Sequence, residues 1–252
     1  MTGKTDEKLF KQGVNNTLKI FTILMMIFIL IKSIIMFKTA NSSLLKINWL
    51  RNISLVALVF IFFLFSYFTN IAVTENKLIC GEKNHKIAFY ATILPFIFIF
   101  LLGIFVISIF PGWVRCFSNT FGSSLLSFCG LEANVTKELN NNVHSSNNNL
   151  YDLYSKNPQI LLNELELNND GNIPSEQFEK LGITIERDDK KEKLLKQYIY
   201  CKETIGEGIW QYLLGIITLL VSYNAILSEN CNAFTIQKDD FKKYLNDKIK
   251  KN

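Results

Sequence analysis

The chain has 252 residues, 27 Lys and Arg against 22 Asp and Glu for a net charge of +5, and 49% hydrophobic residues that include 21 Phe with only 4 Pro. Its apolar residues collect in blocks of roughly 20, the number an α-helix rising about 1.5 Å per residue needs to cross a hydrocarbon layer of about 30 Å. This patterning excludes a purely soluble globular protein and points to a chain solvated largely by lipid.

The first block runs from Ile20 to Phe37, with Lys32 as its one charged residue. Lys32 lies near one end, where a lysine can snorkel its ammonium to the headgroups. A cleaved signal peptide is the rival reading, because basic residues precede the apolar run, but Lys38-Thr39-Ala40 is a poor cleavage site. The second block, Ile53 to Val73, carries no charge. The third, Ala88 to Phe110, holds Pro95, which should kink the helix rather than end it because both flanks stay apolar. Together with the segment that follows, these blocks form an N-terminal membrane region over 1–130.

Directly after the third block, Trp113, Arg115, Phe117, Asn119 and Phe121 mix aromatic with small polar residues up to Gly122. Such a mixture suits a re-entrant or interfacial segment along the membrane surface better than a ligand loop. Residues 131–208 then form a polar domain with 14 acidic and 9 basic residues, a net of −5 that leaves +10 on the rest of the chain. Within it, Asn140 to Asn149 is a low-complexity stretch read as a linker. Leu153, Ile160, Leu161 and Leu165 suit one or two short helices, and from Asp188 the pattern is helical toward the fourth block. Gly206 and Gly208 are the expected break in that long rod.

Residues 209–252 comprise the fourth block, Ile209 to Leu227, and a tail rich in lysine. The tail from Lys238 to Lys251 interleaves Asp239, Asp240 and Asp247, which favours a solvated amphipathic helix over binding to nucleic acid or anionic lipid. In the fourth block Gly208, Gln211, Gly215, Thr218, Ser222 and Ala225 recur at steps of three and four, placing the small and weakly polar side chains on one helix face. Such a face lets another helix approach closely within lipid. It serves packing against the chain's own spans or self-association into a homo-oligomer.

Few constellations suggest chemistry. Glu166 to Gln177 resembles a calcium loop in Asn168, Asp170 and Gly171, but Gln177 stands where a bidentate carboxylate is needed, so an Asx-type turn at Asp170-Gly171 is the better reading. The five Cys are too irregularly spaced for zinc, and any disulfide must respect a division with Cys116, Cys129 and Cys201 on the domain side and Cys80 and Cys231 on the other. Free thiols are the simplest expectation for all five. No apolar block contains Asp or Glu, which discourages proton or cation transport. No phosphate loop, nucleophile elbow, metal site or cofactor motif is present, and no enzyme is expected. Lysines before span one, in the second loop and after span four place both termini in the cytosol and the polar domain opposite, by the bias of basic residues toward the cytosolic side.

Two stretches carry a resemblance. Pro111-Gly112-Trp113 leading to Phe117-Ser118-Asn119-Thr120-Phe121-Gly122, and Ile205-Gly206-Glu207 with Ile209-Trp210 through Val221-Ser222-Tyr223-Asn224, resemble segments in membrane proteins of nucleocytoplasmic large DNA viruses. The abundance of Lys, Asn and Ile fits an AT-rich genome, of a virus or of a protist. The resemblance implies a protein of the virion inner membrane, made in a host endomembrane and associated with capsid or other virion membrane proteins. The residues themselves support an all-α, four-span transmembrane protein with a small helical polar domain between spans three and four. The corresponding expectation is a structural anchor, with a cellular tetraspan scaffold or channel-like protein of a protist as the alternative.

Overall fold

A computed structural model describes residues 2–76, 80–140, 144–145, 158–168, 171–180, 183–184 and 189–228. In chain order the helices are α1 (Thr2–Thr39), α2 (Leu44–Thr74), α3 (His85–Pro95), α4 (Leu102–Ile109), α5 (Pro111–Phe117), α6 (Ser123–Phe128), α7 (Leu131–Asn140), α8 (Pro158–Glu164), α9 (Ser175–Lys180) and α10 (Asp189–Ser228). The fold is all-α apart from a two-residue antiparallel pairing of His144–Ser145 with Ile183–Thr184. Four helical stretches are long and apolar enough to cross a membrane: Val14–Thr39, Leu44–Thr74, His85–Ile109 and Glu192–Ser228. The protein is thus a four-span membrane protein by helix length and composition. The linker from Asn140 to Asn149 and the tail from Lys238 to Lys251 lie largely outside the described residues.

Local chemistry sets the helix ends. Thr39 donates its hydroxyl to the Ile35 carbonyl at 2.8 Å, and Ser43 opens α2 by accepting from the Ile47 amide at 3.2 Å. Asn84 caps α3, its side-chain oxygen accepting from the Ile87 amide at 3.1 Å. Pro95 ends α3 without ending the helical path, because the chain continues as a π-helix over Phe96–Leu101 before α4 begins. The expected kink is therefore a widened turn, which rehouses the bonds that a proline, lacking an amide proton, cannot make.

The expected break at Gly206 and Gly208 is absent. α10 runs through both as one helix of 40 residues, about 60 Å at 1.5 Å per residue, or twice the hydrocarbon thickness. Part of it must therefore stand in water. Both glycines are buried, and close packing against neighbours decides their role in place of their low helix propensity.

The chain divides into two compact units. One comprises Met1–Phe21, Leu58–Ile104 and Leu213–Asn252. Its centre is a group of rings around Phe62, which is 2% exposed and lies 5.3 Å from Phe21, 6.2 Å from Phe96 and 4.2 Å from Phe100 between ring centroids. Between helices in lipid there is no hydrophobic drive, so this contact density is what holds the helices together.

The other unit comprises Thr22–Ala57 and Phe105–Tyr212. Its core joins Ile29 of α1 and Leu126 of α6 to Val135, Leu162, Leu165, Leu195, Tyr198, Ile199 and Ile205. A smaller cluster unites Met36, Ala40, Ile47 and Tyr200. Span residues and polar-domain residues therefore share one apolar core here. The boundary expected at Leu131 and Gly208 marks a change of composition, while the packing runs across it.

Candidate functional site

The small-residue face of α10 is occupied by the chain's own helices. In the unit containing the polar domain, a Cβ added at Gly208 would meet Ile29 at 2.5 Å, and one at Gly206 would meet the Ser118 nitrogen and the Val114 oxygen at 2.8 and 2.9 Å. Gly122 answers from the facing segment, where a Cβ would meet the Lys202 carbonyl oxygen at 2.8 Å. Gln211 is 6% exposed and its Oε1 is buried without a hydrogen-bond partner among the described residues. In the other unit, Gly215 faces the tip of the Phe21 ring, Thr218 donates back to the Leu214 carbonyl, and Ala225 packs beside Ile87, Ala91 and Ile226.

Ser222 belongs to a polar knot. Its hydroxyl donates to the Ala91 carbonyl at 2.7 Å, and Thr92 donates to the Ala88 carbonyl at 2.7 Å. Both oxygens are left to accept, and Asn70 Nδ2 donates to Thr92 Oγ1 at 2.7 Å and to Ser222 Oγ at 2.5 Å. Asn70, Thr92 and Ser222 are all fully buried, so the amide ties α2 to α3 and α10. Asn70 Oδ1 and Ser66 Oγ, one turn apart on α2, are buried without partners among the described residues. Sequence reading passed over Ser66, Asn70 and Thr92. The available signal was an amide and a hydroxyl four residues apart in an otherwise apolar span.

Charge enters the fold where it was not expected. Lys32 does not snorkel: it is 4% exposed and donates to Glu207 Oε2 at 2.9 Å. The carboxylate comes from α10 immediately before the apolar block, so the pairing was hidden by a sequence separation of 175 residues. One turn earlier, Lys202 is buried and donates to the Leu162 carbonyl at 2.9 Å, which fastens α8 to α10. Glu203 lies between them in the electrostatic field of Glu207, Lys202, Arg51 and Arg115. A buried lysine needs either a partner or water, and packing has removed the water.

The segment expected at the interface is helical, as α5, a π-helix over Ser118–Gly122, and α6. Trp113 stacks on Trp210 with centroids 6.0 Å apart, and its carbonyl accepts from the Trp210 indole at 2.8 Å. Phe117 meets the same indole edge-on at 5.0 Å. Arg115 forms an ion pair with Glu166, Asn119 is half-buried, and Phe121 is exposed along with Phe128. The segment thus docks on α10 through Gly122, Trp113 and Phe117 while presenting other aromatic side chains outward.

In the loop that resembles a calcium site, Gln177 Oε1 accepts from the Glu166 amide at 2.9 Å and so closes the loop with an amide where a carboxylate would hold an ion. The Gly171 amide donates to the Asn168 carbonyl, Asn172 donates to Asn168 Oδ1 at 2.9 Å, and Gly171 has φ of 71°. These bonds hold a turn led by Asn168; Asp170, on which the expected Asx-type turn was placed, lies outside the described residues. Cys116 and Cys129 are exposed free thiols and Cys201 is buried, whereas Cys80 is disulfide-bonded, which corrects the expectation of free thiols there.

The arrangement is one of fastening: glycine contacts, an amide bridge and a buried ion pair join helices far apart in sequence. Among known proteins, no family model, curated protein or solved structure matches the chain.

Proposed function

We propose that this chain is a structural multi-pass membrane protein that anchors capsid or other virion proteins to the inner membrane of a large DNA virus particle. The observation that carries the anchoring role is the shared core, in which Leu162, Leu165 and Leu195 of the polar domain pack with Ile29 of the first span. A domain built on the same side chains as the spans passes mechanical load into lipid, which a module hung on a linker does not. Exposed Trp113, Phe121 and Phe128 provide the aromatic surface that a protein partner or the lipid interface favours. The role is binding rather than catalysis. The virion assignment rests on the resemblance of the segment around Trp113 and of the fourth span.

Mass spectrometry of purified particles before and after detergent stripping tests this reading. We expect the chain at a fixed ratio to the major particle proteins and retention with the shell when lipid is extracted gently. Absence from washed particles ends the virion assignment and leaves the anchoring role to a cellular membrane.

The second reading, a tetraspan scaffold or channel-like protein of an AT-rich protist, draws on the Lys32–Glu207 pair and the Asn70 knot. Polar groups inside membrane bundles mark ion pathways in many proteins. Steady conductance after reconstitution of the purified chain, abolished by Asn70→Leu, is the result that favours it.

A further inference from the structure

A groove of about 290 Å³ opens beside the turn that joins α1 to α2, walled by residues 40–42, the start of α2, the Gly171 turn and the first turns of α10. We propose that it seats the phosphate of an anionic phospholipid headgroup.

Four features of the groove converge on that ligand. Lys193 and Lys196 outweigh Glu192 on its rim. Lys196 is oriented by Asn172 Oδ1 at 2.8 Å and Glu192 Oε1 at 2.9 Å, which leaves one of its three protons for a ligand. Lys193 is exposed. On the floor Tyr200 is 8% exposed and brings a hydroxyl that can donate to a ligand. That hydroxyl stands above Gly171, where an added Cβ would lie 2.9 Å from it, so the glycine keeps the floor open. At the N-terminus of α2, a 31-residue helix whose Lys46 and Ile47 amides donate to the Ser43 carbonyl, Leu44 lines the groove and carries an amide for which the helix has no acceptor.

Position selects lipid over free phosphate. The flanking spans end at Thr39 and begin at Leu44, so residues 40–43 lie where the chain leaves the hydrocarbon. On the first turns of α2, Leu45 is 84% and Trp49 62% exposed, apolar surface at the level of the membrane interface that suits lipid, and Trp prefers the headgroup level. An acyl chain along Leu45 and Trp49 places its phosphate at the groove mouth. A zwitterionic headgroup brings its own cation against Lys193 and Lys196, so an anionic one is preferred. This inference does not depend on the virion assignment.

Native mass spectrometry of the full chain released from nanodiscs tests it, with phosphatidylcholine as the bulk lipid and phosphatidylserine as the minor one. We expect phosphatidylserine to be retained in preference to phosphatidylcholine. Lys193→Gln and Tyr200→Phe should each lower that retention by about tenfold, the usual loss for one hydrogen bond to a charged group. Lys193→Arg should restore it. Both variants keep the apolar floor, and equal melting temperatures for them and the unaltered chain establish that the fold is intact. Equal retention of the two lipids, or of phosphatidylserine in all variants, overturns the proposal. So does inorganic phosphate that displaces phosphatidylserine at concentrations comparable to the lipid.

Discussion

The two units of the chain solve the same problem, holding helices together where lipid supplies no hydrophobic drive, with different chemistry. In the unit of Met1–Phe21, Leu58–Ile104 and Leu213–Asn252, phenylalanine rings pack around Phe62 and one neutral amide, Asn70, bridges three helices. In the unit of Thr22–Ala57 and Phe105–Tyr212, a lysine from the first span is buried against a glutamate and an apolar core takes in the polar domain. Neutral bonds between membrane helices average about 0.6 kcal/mol, because an unpacked helix in lipid finds other partners. A buried ion stripped of its partner loses several times that. The lesson is that fastening in the first unit is spread over many weak contacts, while in the second it is concentrated at a few positions.

The largest effect is therefore expected at Lys32. Lys32→Met leaves Glu207 facing a methyl group and should destabilise the detergent-solubilised protein by about 3 kcal/mol, the lower end for a broken buried pair because Glu207 keeps 26% of its side chain exposed. The double change Lys32→Met with Glu207→Leu should recover most of the loss. A melting series read by circular dichroism checks both, and a coupling energy near zero in the double-mutant cycle would falsify the concentrated-fastening account.

Glycine substitutions sharpen the comparison next. Gly206→Ala drives a methyl group into backbone atoms of Val114 and Ser118, which cannot swing aside, whereas Gly215→Ala meets only the far end of the Phe21 ring. Overpacking costs about 1–3 kcal/mol, and we place Gly206→Ala at the top of that range and Gly215→Ala at the bottom. Alanine improves helix propensity by roughly 1 kcal/mol, so the net loss at either site understates the clash by about that amount. Gly215→Leu and Ser222→Leu should be clearly harmful, and Leu220→Ile, at an exposed position, near neutral. If Gly215→Leu, Ser222→Leu and Leu220→Ile are tolerated equally in thermal melts, helix packing on this face is not what holds the span.

A smaller loss is expected at Asn70. Asn70→Leu removes both amide bonds but also an oxygen that has no donor among the described residues, and Thr92 and Ser222 keep their bonds to the carbonyls of Ala88 and Ala91. We expect about 0.5–1.5 kcal/mol in the same melts, below the Lys32 effect. A loss larger than that of Lys32→Met would reverse the contrast between the units.

The cysteines bear on orientation with little effect on stability. Exposed Cys116 and Cys129 are free while Cys80 is bonded, and disulfides persist in oxidising compartments. A bond that persists at Cys80 in the cell requires that side to face an oxidising compartment, the reverse of the orientation that the lysines favour. In sealed endoplasmic-reticulum vesicles we expect a membrane-impermeant maleimide to label Cys116 and Cys129 from outside, with Cys80 reactive only after reduction. Labelling that requires permeabilisation restores the orientation based on lysine.

Much of the fold was legible without coordinates. Four spans follow from block length because the hydrocarbon layer sets a minimum that few soluble helices meet. The packing face of the fourth span follows from period alone, since steps of three and four put Gly208, Gly215 and Ser222 on one side of any α-helix. The groove at Tyr200 was not legible, because it joins turns separated by more than a hundred residues.

Tertiary structure decided the rest. Gly206 reads as a breaker in isolation, yet in the fold the backbone of Val114 and Ser118 fills the space beside it. Lys32 reads as a headgroup contact, but burial removed its water and supplied Glu207. The polar domain reads as separate by composition, but Leu162 and Ile29 belong to one core. Sequence by itself determined the properties that solvent imposes on a single helix, its length, face and polarity. Which residue of that face meets which partner depends on chain closure over long separations, and that information exists only once the helices have packed.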